Sequence, residues 1–547
     1  MTSPSTVHTV PWPAEIAAEY RSQGLWRGKT LFTTLLEVAE QLPEKIALVD
    51  GDVRISYREL VDRAEAGARR LLDLGLAPDD RILVQLPNCW QFVVLTFACA
   101  RAGIVPVMAL AGHREVELSG IAEVSESRAI VVPDTLKDFD HRALARIIRD
   151  EAPDLKTIIV SGQAGQDVSL DELLAPSAGE LSELDHPESS SVALFLLSGG
   201  TTGLPKLISR THDDYELNAR LCADVAGIDV DAVYLVCVPA SHNFALACPG
   251  ILGVLFAGGT VVTLPSPQPK RVLRAIETEG VTITAAVPAV VQRWLEHVEQ
   301  SPSEIDLSTL RTVQVGGSRL PDEIARRVTP LLGATLQQVF GMAEGLINMT
   351  RLDDPLEVIT TTQGRPVSEL DEVRIVGPDG ETVADGQEGL IYTRGPYTPR
   401  GYYRAPEANA KSFVDGWYGS GDIVVRRPDG NLVVHGRDKD IINRGGEKIS
   451  AEEIESLVYR LPQVELAAVV AMPDHVLGER LCLYVTLQPG AQASLEDVRA
   501  ALTDAGIAEY KLPERLEIVE EIPMTKVGKI NKKELRDDIR QRTSAEA

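Results

Sequence analysis

Apolar residues along the chain follow two periods. In "SYRELVDRAEAGARRLLDLGL", Leu60, Ala64, Ala68, Leu71 and Leu72 fall three or four residues apart on one helix face, and Ser56 and Glu59 stand at capping-box spacing. Elsewhere short apolar runs, "VYLVCVP", "TITAAVP", "TVQVGG" and "TLQQVFG", end in Gly or Pro and are separated by helix-length segments such as "PKRVLRAIETEG". Strand alternating with helix predicts a largely parallel α/β sheet, whose ligands bind beyond the carboxyl ends of the strands. The long apolar stretch 92–112 is interrupted by Arg101, Gly103 and Pro106, so it reads as a buried helix followed by a buried strand, not a membrane span.

After about residue 365 the pattern shifts to short alternating strands with Asp-Gly turns at Asp379-Gly380 and Asp385-Gly386, which predicts a small β-rich subdomain over 365–437. Next, "GRDKDIINRGGEKISAEEIESLVYRL" mixes charge and glycine before a helix with Ile454, Leu457, Val458 and Leu461 on one face. This predicts a boundary near Arg437 to Lys439. Residues 1–437 would form the larger α/β part, and 438–547 a small, mobile C-terminal α/β lid.

Composition narrows the function. A chain of 547 residues, 44% hydrophobic and 24% charged, has ordinary globular composition and is long enough for at least two domains. Its formal net charge of −26 argues against nonspecific binding to nucleic acid or to anionic membrane. The C-terminal "KVGKINKKELR" is nonetheless a basic patch that an acidic protein partner could use. Six scattered cysteines without C-x-x-C spacing predict reduced thiols, and with no signal-like N-terminus the expected location is the cytoplasm.

One loop stands out chemically. "LSGGTTGLPK" follows the apolar run "SVALFLL", so a buried strand feeds a loop of open backbone N–H groups, hydroxyls and one ammonium, which suits phosphate oxygens. It is not a Walker loop, because Lys206 follows Pro205 rather than Gly and precedes Leu207 rather than Ser or Thr.

Four more stretches accompany it in order: "QQVFGMAEG", "WYGSGDIV", "GRDKDIINRGGEKI" and "PMTKVGKINKKELR". Together they resemble the adenylate-forming superfamily of acyl-CoA synthetases, luciferases and nonribosomal-peptide adenylation domains, nearly end to end. Within it, "SHNFALACPG" and "TRGPYTPRGYY" resemble the stand-alone aryl acid adenylating enzymes of siderophore pathways. The resemblance implies ATP and Mg2+ as cofactors, salicylate or 2,3-dihydroxybenzoate as acid, and transfer to the phosphopantetheine thiol of an aryl carrier protein. An aryl-CoA ligase, 3-hydroxypicolinate as acid and a catalytically silent scaffold are the competing expectations.

It also implies roles for residues. Ser198, Gly199, Thr201, Thr202 and Lys206 would hold the ATP phosphates, although Leu207 departs from the family's usual glycine. Glu344 would ligate Mg2+, while Phe340 and Gly341 of the same motif would meet adenine. Asp422 would accept the ribose hydroxyls, Arg437 would support it, and Lys439 would be the hinge. Lys529 would be the catalytic lysine, and His242 would gate the thiol path. Asn243 would bond the ortho hydroxyl of the acid, with Phe244, Gly316, Gly317 and Val339 as flat walls. Cys248 would favour salicylate, because a thiol compensates a second buried ring hydroxyl less well than serine does.

Overall fold

The computed structural model describes residues 9–546 apart from 178–183, 199–204, 302–304, 445–446, 475–476, 506 and 508. The amphipathic segment is the helix Tyr57–Asp73, with Leu60, Ala64, Ala68 and Leu71 buried. Only half of the expected capping box forms. Ser56 accepts from the Glu59 N–H, whereas the Glu59 carboxylate turns to Arg63 one turn on. The 92–112 stretch is the helix Trp90–Ala102, closed by Gly103 at φ +70°, and then the strand Val105–Met108.

Among the described residues the strands build two large sheets. In the nine-stranded sheet the predicted runs Val233–Val236, Ile283–Ala286, Thr312–Gly316 and Thr335–Gly341 are parallel neighbours. In the seven-stranded sheet, Val192–Leu197 runs parallel to Val105–Met108 on one side and antiparallel to Leu207–Thr211 on the other. The stretch 198–206 therefore joins two antiparallel strands, and Ser198 and Lys206 close its base by exchanging backbone and hydroxyl hydrogen bonds. Helices pack against both sheets around three apolar cores.

A five-stranded antiparallel sheet follows, including Glu372–Val376, Glu388–Arg394, Trp417–Arg426 and Leu432–Arg437. The Asp-Gly turns hold Gly380 and Gly386 at φ +85°, which glycine adopts without strain. After Arg437 a short turn, Asp438–Asp440, leads into Ile441–Arg444 of a separate five-stranded sheet. That sheet carries its own apolar cores, flanked by the helices Ala451–Val458, Leu495–Asp504 and Lys532–Glu546. The helix Ala451–Val458 buries Ile454 and Val458 but ends before Leu461, which packs from the following turn. All six cysteines are free, and five of them are buried. Among the described residues no helix is long and apolar enough to cross a membrane.

Candidate active site

A cavity of about 1020 Å³ lies where the carboxyl ends of the large-sheet strands meet the C-terminal sheet domain. Its wall includes Ser198, His242, Asn243, Gly317, Val339, Phe340, Gly341, Asp422, Arg437 and Lys529. Residues more than 300 positions apart in sequence thus converge on one space.

Lys529 sits at the end of a tight turn in which Thr525 and Lys529 exchange hydrogen bonds and Gly528 takes φ +81°. Its side chain reaches across to the larger domain. A Cβ added to Gly317, itself at φ +90°, would come within 3.0 Å of Lys529 Cε. Gly317 is therefore the gap through which the ammonium passes. At Gly316 a Cβ would stand 2.7 Å from the Val339 carbonyl and 3.2 Å from Phe244 Cζ, so the three residues form one close-packed wall.

His242 caps the short helix Asn243–Ala247, its Nδ1 accepting from the Phe244 N–H at 3.2 Å. Loss of surrounding water, and then the Lys529 charge, push its pKa down to about 3, so the ring is neutral at physiological pH. With Nδ1 occupied as acceptor, the proton of the neutral ring resides on Nε2. Beside it, Asn243 is nearly fully buried. Asn243 Oδ1 accepts from the Tyr215 hydroxyl at 2.8 Å, and Nδ2 donates to Cys248 Sγ at 3.4 Å. Cys248 is buried behind Asn243 rather than on the cavity wall.

Asp422 and Arg437 are register partners on neighbouring strands, and Arg437 Nε donates to Asp422 Oδ1 at 2.8 Å. Asp422 is the first cause of the raised Arg437 pKa. Glu344 follows the strand Thr335–Gly341 and is buried, with Oε1 accepting from the Tyr402 hydroxyl at 2.8 Å. Lys206 is exposed. Lys439 lies in the turn after Arg437, while Gly199, Thr201 and Thr202 fall outside the described residues.

Three contributors escaped sequence reading. Arg210 is fully buried; it pairs with Asp214 at 2.7 Å, donates to the Ala343 carbonyl next to Glu344, and stacks on the Tyr215 ring at 4.6 Å. Tyr215 and Tyr402 bond the two residues that sequence did single out, Asn243 and Glu344. Nothing in "RTHDDYELNAR" beyond helical spacing marks Arg210 or Tyr215.

Mg2+ suits this donor set. Among the described residues no group of three or more His, Cys, Asp or Glu side chains could cage a metal alone. A single carboxylate with one oxygen fixed by Tyr402 fits a Mg2+ that would keep water and phosphate as its other ligands.

Comparison with known proteins gives the family. The AMP-binding enzyme family matches residues 35–403, and the AMP-binding enzyme C-terminal domain matches 453–529. The chain is 56% identical over 539 residues to a Streptomyces salicylyl-CoA synthase / salicylate adenylyltransferase, covering 97% of both chains. It is 47% identical to the Mycobacterium tuberculosis salicyl-AMP ligase / salicyl-S-ArCP synthetase, over 96% of this chain and 93% of that one. The solved structure of Mycobacterium smegmatis MbtA superposes with a TM-score of 0.76 at 44% identity, covering 98% of this chain and all of that one. With its large α/β domain, its small C-terminal domain and a lysine of the latter reaching the cavity, the chain belongs to the AMP-binding family of adenylate-forming ligases.

Proposed function

We propose that the protein activates an aryl acid with an ortho hydroxyl, salicylate foremost, and passes it to the phosphopantetheine thiol of an aryl carrier protein in siderophore or related peptide biosynthesis. In the first step a carboxylate oxygen attacks the α-phosphorus of ATP. The bond to the β-phosphate bridging oxygen breaks and pyrophosphate leaves. In the second, the thiol sulfur attacks the acyl carbon, releasing AMP and the thiol proton.

The observation that carries this reading is the approach of Lys529 to Gly317 beside His242 and Asn243. A cation there meets the charge that grows on the oxygens between attacking carboxylate and departing pyrophosphate. Asp422, oriented by Arg437, offers paired oxygens to vicinal ribose hydroxyls, and the half-buried ring of Phe340 on the cavity wall suits adenine. Ser198 and Lys206, with Gly199, Thr201 and Thr202, supply the phosphate loop. Gly341 is exposed beside Phe340. Mg2+ held by Glu344 would neutralise phosphate charge. Lys439, two residues past the last strand of the β-rich subdomain, is the hinge of a lid spanning 438–547, on which Lys529 enters and leaves.

Salicylate is favoured over 2,3-dihydroxybenzoate because a thiol, Cys248, stands next to Asn243. Two relatives carry salicylate in their names, whereas a Bacillus subtilis relative at 47% identity is a 2,3-dihydroxybenzoate-AMP ligase by name, so the thiol carries the preference. The Streptomyces relative's name also contains a CoA synthase, which keeps free coenzyme A as the second reading for the acceptor.

ATP–pyrophosphate exchange with salicylate, 2,3-dihydroxybenzoate, 3-hydroxypicolinate, benzoate and a short fatty acid tests the acid. The expected result is strongest exchange with salicylate; no exchange with any aryl acid would overturn the reading. Thioester formation on a phosphopantetheinylated aryl carrier protein against free coenzyme A then decides the acceptor.

A further inference from the structure

The amide of Asn243 has a fixed polarity. Tyr215 is fully buried, and burial keeps its phenol protonated, so its hydroxyl carries one proton that must be donated. Among the described residues, Asn243 Oδ1 at 2.8 Å accepts it. The Arg210 guanidinium, 4.6 Å over the Tyr215 ring and itself paired with Asp214, holds the ring in place. Flipping the Asn243 amide would set its NH2 against the phenol proton and strand both donors in the core. The carbonyl therefore faces Tyr215, and the NH2 faces Cys248 and the cavity.

We infer that Tyr215 is a positioning residue for acid selection: by occupying Asn243 Oδ1 it makes the pocket present N–H to the substituent ortho to the carboxylate, and so selects acids whose ortho group accepts a hydrogen bond. This rests on the aryl acid reading above. One N–H of the amide goes to Cys248, and the second is left for the substrate. A phenolic hydroxyl satisfies it, because its proton turns to its own carboxylate and an oxygen lone pair stays free. An ortho amine of nearly the same size fails. Its nitrogen lone pair is delocalised into the ring, and once one N–H turns to the carboxylate the other points at the Asn243 donor. Unsubstituted benzoate leaves the Asn243 N–H unpaired but adds no opposing donor.

The order expected for the unmodified protein in pyrophosphate exchange, as kcat/KM, is salicylate, then benzoate, then 2-aminobenzoate. Tyr215→Phe frees the amide to turn, so the ratio of salicylate to 2-aminobenzoate falls about tenfold, the worth of one net hydrogen bond. In an Asn243→Ala background the same substitution leaves that ratio unchanged. The inference is overturned if 2-aminobenzoate exceeds benzoate in the unmodified protein, or if Tyr215→Phe lowers both acids by one common factor. It is equally overturned if the change in ratio persists without Asn243. Failure of the underlying reading looks different, since then none of the three acids supports exchange.

Discussion

The ammonium of Lys206 lies 4.9 Å over the ring of Tyr402, whose hydroxyl donates to Glu344. One tyrosine thus connects the lysine at the base of the glycine-rich loop with the carboxylate proposed to hold Mg2+. Burial and the negative charge of Glu344 keep the Tyr402 phenol protonated, so it remains a donor. A hydrogen bond to a charged carboxylate is worth more than a neutral one. Tyr402→Phe is expected to slow adenylation about tenfold and to raise the Mg2+ concentration needed for half-maximal pyrophosphate exchange. An unchanged Mg2+ titration would show that Glu344 needs no such support.

Lys529→Ala should reduce single-turnover adenylate formation by roughly 10^2 to 10^3, the usual loss of one preorganised charge-stabilising group. Transfer from chemically supplied aryl adenylate to the thiol should be retained. Normal adenylate formation by this variant would remove Lys529 from the chemistry.

The turn that bears Lys529 is also tied down from outside. Lys526 forms an ion pair with Glu117 of the larger domain, and its stem lies against Gly112. Both side chains are about one-third exposed, so the pair contributes little by itself. Lys526→Glu should slow adenylation no more than about fivefold at low salt, with the loss shrinking as salt rises, and Glu117→Lys added to it should restore the rate. Absence of rescue in the double variant would mean that the pair does not hold the turn in place.

Glu452, on the helix Ala451–Val458, faces Lys532, Glu455, Arg319 and Asp422. Its Oε2 is buried with no hydrogen-bond partner among the described residues, and burial, only partly offset by Lys532, pushes its pKa up to about 7. The native state then holds a proton that the unfolded chain has already lost between the ordinary carboxylate range and about pH 7. The unfolded state binds fewer protons there, so Glu452 lowers stability as pH rises through that window. Glu452→Gln is expected to raise the melting temperature at pH 8, with the gain vanishing at pH 4. Equal gains at both values would exclude ionisation as the cause.

Cys248→Ser should shift preference toward 2,3-dihydroxybenzoate relative to salicylate, because a hydroxyl compensates a second ring hydroxyl better than a thiol does. Cys248 reaches the cavity only through Asn243, so a change of about tenfold or less in the ratio of exchange rates is expected. An identical ratio would detach Cys248 from acid selection.

The sequence by itself determined the strand and helix order, because each apolar run carries its period locally. It likewise marked the loop in which Ser198 stands, by its unusual local composition, and the stretches in which Glu344, Asp422 and Lys529 stand, by their resemblance to a known family. It overreached where one local rule met a competing local partner, as when the Glu59 carboxylate turned to Arg63, one turn on in the same helix, instead of back to its cap. Only the tertiary structure decided which side chains hold the site in place. Tyr215 is ordinary in sequence, Tyr402 stands in a stretch noted for its resemblance but with no role assigned to it, and they acquire their roles from hydrogen bonds across 28 and 58 residues respectively. Arg210 gains its place from a carbonyl 133 residues away. The reason is physical: a motif is set by what the backbone and ligand require nearby, whereas a buried donor takes whichever acceptor the packed chain brings within about 3 Å.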